Sequence, residues 1–501
     1  MREKASLLFL LKIFKLPLNL LLLSVTAKYY GISLEKDIWL LALATVTTLD
    51  LALWGPINET FRAKFIMVKE EISLKRALYF TQSLLFYFVV FSLLIVLYIF
   101  FFPRHLGTII APTYDLNQLK ILSKMLYIVA PFLLLNQLIQ VGNSILNAFN
   151  VFFVPEISSF FSTIINIILI VLLSDKVGIY ALPVSNYVSS LFLMVFILYF
   201  FKKHKIFLFT NIWNFKFDGF LLFFNFALPF FVPYFFGQVN TFVEKILATN
   251  LYTGAVSIID FSNRIPNLFY GIVVSIVSTI LLPILTKLFI SKDKLTFNTE
   301  FKNMYHLGFL IILFINSIVL GSGTTIISLL YDKGSILESD LYKIYQLSVL
   351  YSISLFGVFT YLVFGISLVA SKSSRFYASI GVLAQILVIV LNVIFVRIIG
   401  IYIFPISVFL SHLFSGYILY KKYPFRDDLN LNLVKLFTIL LIIFLLSLFL
   451  SKIIFLDYLI INLGVKVAII FLVFLLMMYL LKFEEITLLK KIYNSKFRKH
   501  K

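Results

Sequence analysis

Twelve residues near the middle of the chain, DFSNRIPNLFYG at 260–271, place an acid, a base and amides within reach of one another. Asp260 and Arg264 stand four residues apart, and Asn267 and Gly271 follow at spacings of three and four. On a helix these positions share one face, with Asn263 beside them. Asp260 and Arg264 can pair along that face. Such a pair has two uses. It can fix helix packing by satisfying itself, or it can offer a cationic group to an anionic ligand. The stripe continues through Asn267 and Gly271, which favours the second use. Pro266, lacking an N–H, should loosen the helix there.

Other polar groups sit in apolar surroundings. NQLIQVGNSILNAFN (136–150) carries Asn136, Gln140, Asn143, Asn147 and Asn150 on one stripe. That stripe suits interhelical glue or the wall of a hydrated cavity. Lys12, Lys15 and Asn19 share a face; Lys12 can snorkel to an interface, whereas Lys15 is deeper and a cavity candidate. Asp37 opens one apolar block and Asp50 lies within it, near Thr47 and Trp54. Glu244 and Lys245 form an adjacent charged pair. The lone His412 reads as a hydrogen-bonding group between helices. No GxSxG, HExxH, Gly-Lys phosphate loop or CxxC is present, so no enzyme is expected. The absence of cysteine removes disulfides and thiolate metal sites. Lys15 and Arg264 would attract an anion, whereas Asp50 and Asp260 would suit a cation or proton. No cofactor is expected; a coupling ion, Na+ or H+, stays open.

The elements that hold these groups are membrane helices. Of 501 residues, 61% are hydrophobic and 13% charged, against about half and a quarter in soluble domains. The apolar residues come in blocks of about twenty, the length that crosses the hydrocarbon core as a helix. Continuous blocks exclude a β-barrel, whose strands would alternate. The expected fold is an all-α polytopic membrane protein of fourteen spans. The net charge of +20 sits in the loops, with more than twice as many Lys and Arg on one side. The positive-inside rule explains this and puts both termini in the cytoplasm; nucleic acid is not an expected partner. The N-terminal stretch MREKASLLFLLKIFKLPLNLLLL lacks a cleavage site and reads as a retained first helix.

One motif occurs twice. GIYALPVSNYVSSLF (178–192) and GIYIFPISVFLSHLF (400–414) share eight of fifteen residues. Each opens a sixth span, so the chain reads as a parallel duplication. The expected organisation is an N-terminal lobe at 1–205 and a cytoplasmic linker at 206–217. A C-terminal lobe at 218–422 and two extra spans with a basic tail at 423–501 complete it.

The segment DFSNRIPNLFYGIVVSIVSTILLPILTKLF (260–289) resembles the eighth span of the MviN/MurJ-type lipid II flippases. AKYYGISLEKDIWLLALA (27–44) is similar to that family's first-to-second span turn, with Gly31, Asp37 and Ala42 in register, and WGPINETFRAKF (54–65) matches more loosely. The family belongs to the multidrug/oligosaccharidyl-lipid/polysaccharide exporter superfamily, with two six-helix lobes and two further helices. The resemblance implies a monomeric carrier in the bacterial inner membrane. A cavity between its lobes would take the pyrophosphate and sugar of an undecaprenyl-linked intermediate, lipid II-like, and pass it outward by alternating access. The residues that would face substrate are Arg264, Lys15, Asp260, Asn263, Asn267, Asp37, Asp50, Asn136, Gln140 and Asn143. Arg264 falls on one of the family's cavity arginines. Leu22 and Leu23 stand where the family has Arg-Asp, Thr48 to Asp50 stand where it has Arg, and Lys15 lies one residue from a further arginine position. LDLALWGP also resembles a segment of the O-antigen, capsule and exopolysaccharide repeat-unit flippases. A cation-coupled multidrug antiporter and a non-transporting scaffold are the remaining alternatives.

Overall fold

The computed structural model describes residues 2–149, 151–206, 216–276, 281–453 and 458–481. Asn150, most of the linker, the basic tail beyond 481 and the Lys12 side chain lie outside what is described. The described chain is helical throughout. In order it forms α1 (Arg2–Tyr30), α2 (Leu34–Glu71), α3 (Leu74–Phe101), α4 (Pro103–Ile110), α5 (Leu116–Val129) and α6 (Phe132–Ala148). Then come α7 (Phe153–Val177), α8 (Ala181–Lys203), α9 (Phe217–Thr249), α10 (Ala255–Ile276), α11 (Leu282–Ile290) and α12 (Lys294–Tyr331). The last are α13 (Glu338–Ala370), α14 (Ser374–Ile399), α15 (Ile403–Lys421), α16 (Leu433–Ser451) and α17 (Leu459–Leu480).

Local chemistry starts and breaks these helices. Ser33 caps α2 by accepting from the Lys36 N–H at 3.2 Å. Asp115 and Gln118 form a reciprocal capping box at the start of α5. The span that carries the amide stripe, Leu116–Ala148, is built of α5 and α6, which meet at Ala130–Pro131. Pro131 has no N–H to continue the ladder of α5. Among the described residues, ten segments are long and apolar enough to cross a membrane. Two of these, Phe153–Lys203 and Ser374–Lys421, are 51 and 48 residues long and each contains a Gly-Ile-Tyr turn, so each holds two passes.

Those two turns have one backbone. Gly178 adopts φ 58°, ψ −137° and Gly400 adopts φ 66°, ψ −145°. This region is essentially closed to residues with a Cβ. Each glycine ends one long helix and opens a three-residue 3₁₀ turn, Gly178–Tyr180 or Gly400–Tyr402, that feeds the next. Ser185 and Ser407, equivalent in the repeat, each bond back to a carbonyl three residues earlier at 2.9 Å.

The chain separates into two compact units, Met1–Ser257 with Lys333–Ser335, and Ile258–Asp332 with Ile336–Lys501. In the first, α2 packs against α3, α5, α6 and α9, and α7 packs against α1 and α8. Its aromatic core includes Trp54, Phe61, Phe65, Phe88 and Phe223, with Phe61 and Phe223 stacked at 4.9 Å. In the second, α12 packs against α13, α16 and α17, and α15 packs against α13 and α14. Gly357 lets α13 approach α15 closely: a Cβ there would come within 2.6 Å of the Phe409 carbonyl oxygen. Small residues at such crossings are how membrane helices bring backbones together.

Candidate functional site

The pair expected from sequence forms on α10. The Arg264 Nη2 donates to Asp260 Oδ1 at 3.0 Å and Oδ2 at 3.3 Å, and Nε reaches Oδ2 at 3.4 Å. The Arg264 side chain remains 49% exposed, against 17% for Asp260. Nη1 makes none of these bonds to Asp260, so a partly exposed arginine on an apolar helix keeps donors for an outside acceptor. Exposed side-chain pairs of this kind are worth only about 0.3–0.5 kcal/mol, so Asp260 orients Arg264 without consuming it. Asn267 and Gly271 are exposed on the same stripe, and Asn263 is half-buried.

The opposite face of α10 is pinned. Ile258, Ile259, Phe261, Ser262 and Ile265 are buried. Tyr331 donates its hydroxyl to the Phe261 carbonyl at 3.1 Å. Pro266 deprives the Ser262 carbonyl of its helical donor, and Ser348 on α13 supplies one at 3.0 Å. The helical bond at Pro266 is missing, yet α10 runs through it, and a neighbouring hydroxyl satisfies the freed carbonyl.

Asp37 is buried, 2% exposed, and its carboxylate is already engaged. It accepts from the Gly254 N–H at 2.6 Å, the Ser257 N–H at 2.8 Å and the Ser257 hydroxyl at 2.5 Å. These donors belong to the first turn of α10, where a carboxylate is favoured by orphan N–H groups and the helix dipole. Asp37 positions α10 and offers little to a ligand.

Asp50 lies sixteen residues beyond Leu34, about 24 Å along α2 at 1.5 Å per residue. It too is 2% exposed. Its two oxygens accept from Asn136 Nδ2 and Gln137 Nε2. Gln137 in turn accepts from Asn58 Nδ2 at 3.2 Å. A cavity of about 210 Å³ adjoins the cluster, lined by Thr47, Asp50, Asn136, Asn186 and Ser190 among apolar residues. Lys15, half-buried, donates to Ser159. The rest of the amide stripe separates: Gln140 is exposed, and Asn143 and Asn147 are half-buried. The Oδ1 of Asn143 is buried without a hydrogen-bond partner. A larger cavity of about 1030 Å³ in the second unit, lined by Tyr305, Phe364, Tyr417 and Tyr420 among others, contains none of the expected site residues.

The arrangement thus offers one half-free guanidinium on a pinned membrane helix and one buried carboxylate in an amide nest. Sequence spacing passed over Gln137, Asn58, Ser257 and Ser348. Gln137 directly follows Asn136 and so falls off the chosen stripe; the others act from separate helices.

The family described as lipid II flippase MurJ matches residues 26–485. The chain belongs to the MurJ family. A relative from Buchnera aphidicola subsp. Baizongia pistaciae (strain Bp), described as a probable lipid II flippase MurJ, is 27% identical over 335 residues. That match spans 64% of this chain and 63%, less than two thirds, of the relative. A solved lipid II flippase MurJ in an inward closed conformation superposes with a TM-score of 0.80 at 21% identity, covering 95% of this chain and 99% of its own. An inward-facing multidrug resistance MATE family transporter of the MOP superfamily follows at 0.63 and 11%, covering 82% and 94%. Both structural likenesses bear on the fold. The expected all-α polytopic architecture is that of the MurJ structure, and Arg264 and Asp37 lie inside the residues matched to the MurJ family.

Proposed function

We propose that this protein carries an undecaprenyl-pyrophosphate-linked sugar, of the lipid II type, from the cytoplasmic to the outer leaflet of the bacterial inner membrane by alternating access. Its termini lie in the cytoplasm and it works as a monomer. Family membership supports the substrate class, and one observation carries the reading: the Arg264 side chain stays 49% exposed on a helix whose other face is locked. A pyrophosphate cannot cross the hydrocarbon core unaided. A fixed guanidinium binds phosphate through paired N–H donors. Asn263 and Asn267 on the same helix suit a sugar headgroup, while the prenyl tail stays in lipid. An inside-negative potential favours outward movement of an anion by about 2.3 kcal/mol per charge per 100 mV. The domain boundaries at 1–205, 206–217, 218–422 and 423–501 belong to the same proposal.

The test is flipping of a fluorescent lipid-linked disaccharide pyrophosphate in proteoliposomes, alongside complementation of a flippase-depleted strain. Arg264→Ala should abolish both while the protein still reaches the membrane, and Arg264→Lys should recover part. Normal transport by Arg264→Ala would refute the reading.

A further inference from the structure

The Asp50 nest answers to a different chemistry from Arg264. Both carboxylate oxygens receive amide N–H groups, and that pattern belongs to the ionised, acceptor-only form. Asn58 holds the Gln137 amide in the orientation that points its N–H at Asp50. Among the described residues no ammonium, guanidinium or imidazole pairs with Asp50. A buried carboxylate deep in a membrane helix is costly unless its charge is balanced, and two neutral amides do not balance it.

The adjoining cavity supplies what a small cation needs. Its polar lining residues, Asp50, Thr47, Asn136, Asn186 and Ser190, border one space of about 210 Å³, and each carries a side-chain oxygen. The Thr47 hydroxyl donates to the Leu43 and Ala44 carbonyls at 2.9 and 3.2 Å, which leaves its oxygen free to accept. Asn186 is held by Asn166 Nδ2 at 2.9 Å. Leu43, Val46, Phe132 and Leu133 close the remainder. Oxygen-only donor sets suit hard cations. A single carboxylate balances one positive charge; a divalent ion would leave a net charge among apolar walls.

We infer that the Asp50 cavity between α2, α6 and α8 binds a monovalent alkali cation through Asp50, Thr47, Asn136, Asn186 and Ser190. This site goes beyond the proposed function and stands whatever the transported substrate is.

The full-length protein in detergent micelles is heated in choline chloride, with choline replaced stepwise by NaCl or KCl at constant ionic strength and pH. Binding to the folded state raises the unfolding temperature with alkali-ion concentration. The wild type should gain several degrees, saturably, with Na+ or K+. Asp50→Asn removes the charge and one of the two acceptor oxygens, so it should unfold at or somewhat below the wild-type temperature in choline and lose the ion-dependent gain. Ser190→Ala should raise the half-saturating concentration several-fold with little change in choline. A wild type indifferent to both ions, or one that responds to pH alone, overturns the site, as does an ion-dependent gain retained in Asp50→Asn. Should Asp50→Asn fail to fold, Ser190→Ala decides: an unchanged half-saturating concentration rejects the site and a several-fold rise supports it.

Discussion

The two Gly-Ile-Tyr turns are built alike and furnished differently. Gly178 and Gly400 share one backbone conformation, and Ser185 and Ser407 close the same local bond. Beyond that the copies part. In the first, Asn186 meets Asn166 and borders the Asp50 cavity with Ser190. In the second, Val408 and His412 occupy those places. His412 bonds its own helix at the Val408 carbonyl at 2.8 Å, and Ser407 adds a bond to Asn392 at 2.6 Å. The duplication kept the residues that make the hairpin and released those that do chemistry. The first unit holds an unpaired carboxylate, and the second a half-free guanidinium on α10. Two turns with one backbone thus belong to units whose exposed or unpaired charges differ in sign.

The strongest way to break this contrast is Arg264→Ala. If the guanidinium is the anion-facing group, transport falls by at least about 30-fold, since losing one partner of a guanidinium–phosphate pair closed off from water with bound substrate costs about 2–5 kcal/mol; initial flipping rates at matched protein levels measure it. Asp37→Ala comes next. It strips three donors at the buried start of α10, and each orphaned group costs about 1–3 kcal/mol. A lowered unfolding temperature together with lost transport is expected, and an unchanged unfolding temperature would remove Asp37 from its positioning role. Ser348→Ala should be milder, about 1–3 kcal/mol from the single Ser262 carbonyl left without a donor. Here transport should fall less than in Arg264→Ala, with the loss visible in thermal stability. The smallest effect sharpens the likeness of the two turns. Gly178→Ala and Gly400→Ala should destabilise by a similar amount, about 1–3 kcal/mol each. No heavy atom lies within 4 Å of a Cβ at either position, so the cost is backbone strain alone. A large inequality between the two would show that the turns are not equivalent scaffolds.

Much of this was legible in the sequence. The span lengths, the repeat and the i, i+4 pair at Asp260 and Arg264 follow from periods of 3.6 residues and from the apolar content needed to cross a bilayer. The amide stripe was legible only in part. Asn136 was found by spacing, but its partner Gln137 lies about 100° around the helix from it, and Asn58 comes from another helix altogether. The donor that satisfies the Ser262 carbonyl beside Pro266 was out of reach of spacing for the same reason, because Ser348 is 86 residues distant.

The sequence by itself determined that this is a polytopic helical membrane protein with a duplicated hairpin and a charged stripe at 260–271. Those properties depend on composition and on neighbours within one helical turn. Only the tertiary structure decided what each charge does. Asp37 became a helix cap, Asp260 an orienting partner, Asp50 a carboxylate in an amide nest, and Arg264 the half-free cation. Burial and hydrogen-bond partners set those roles, and except for the Asp260–Arg264 pair within α10 the deciding partners come from other helices.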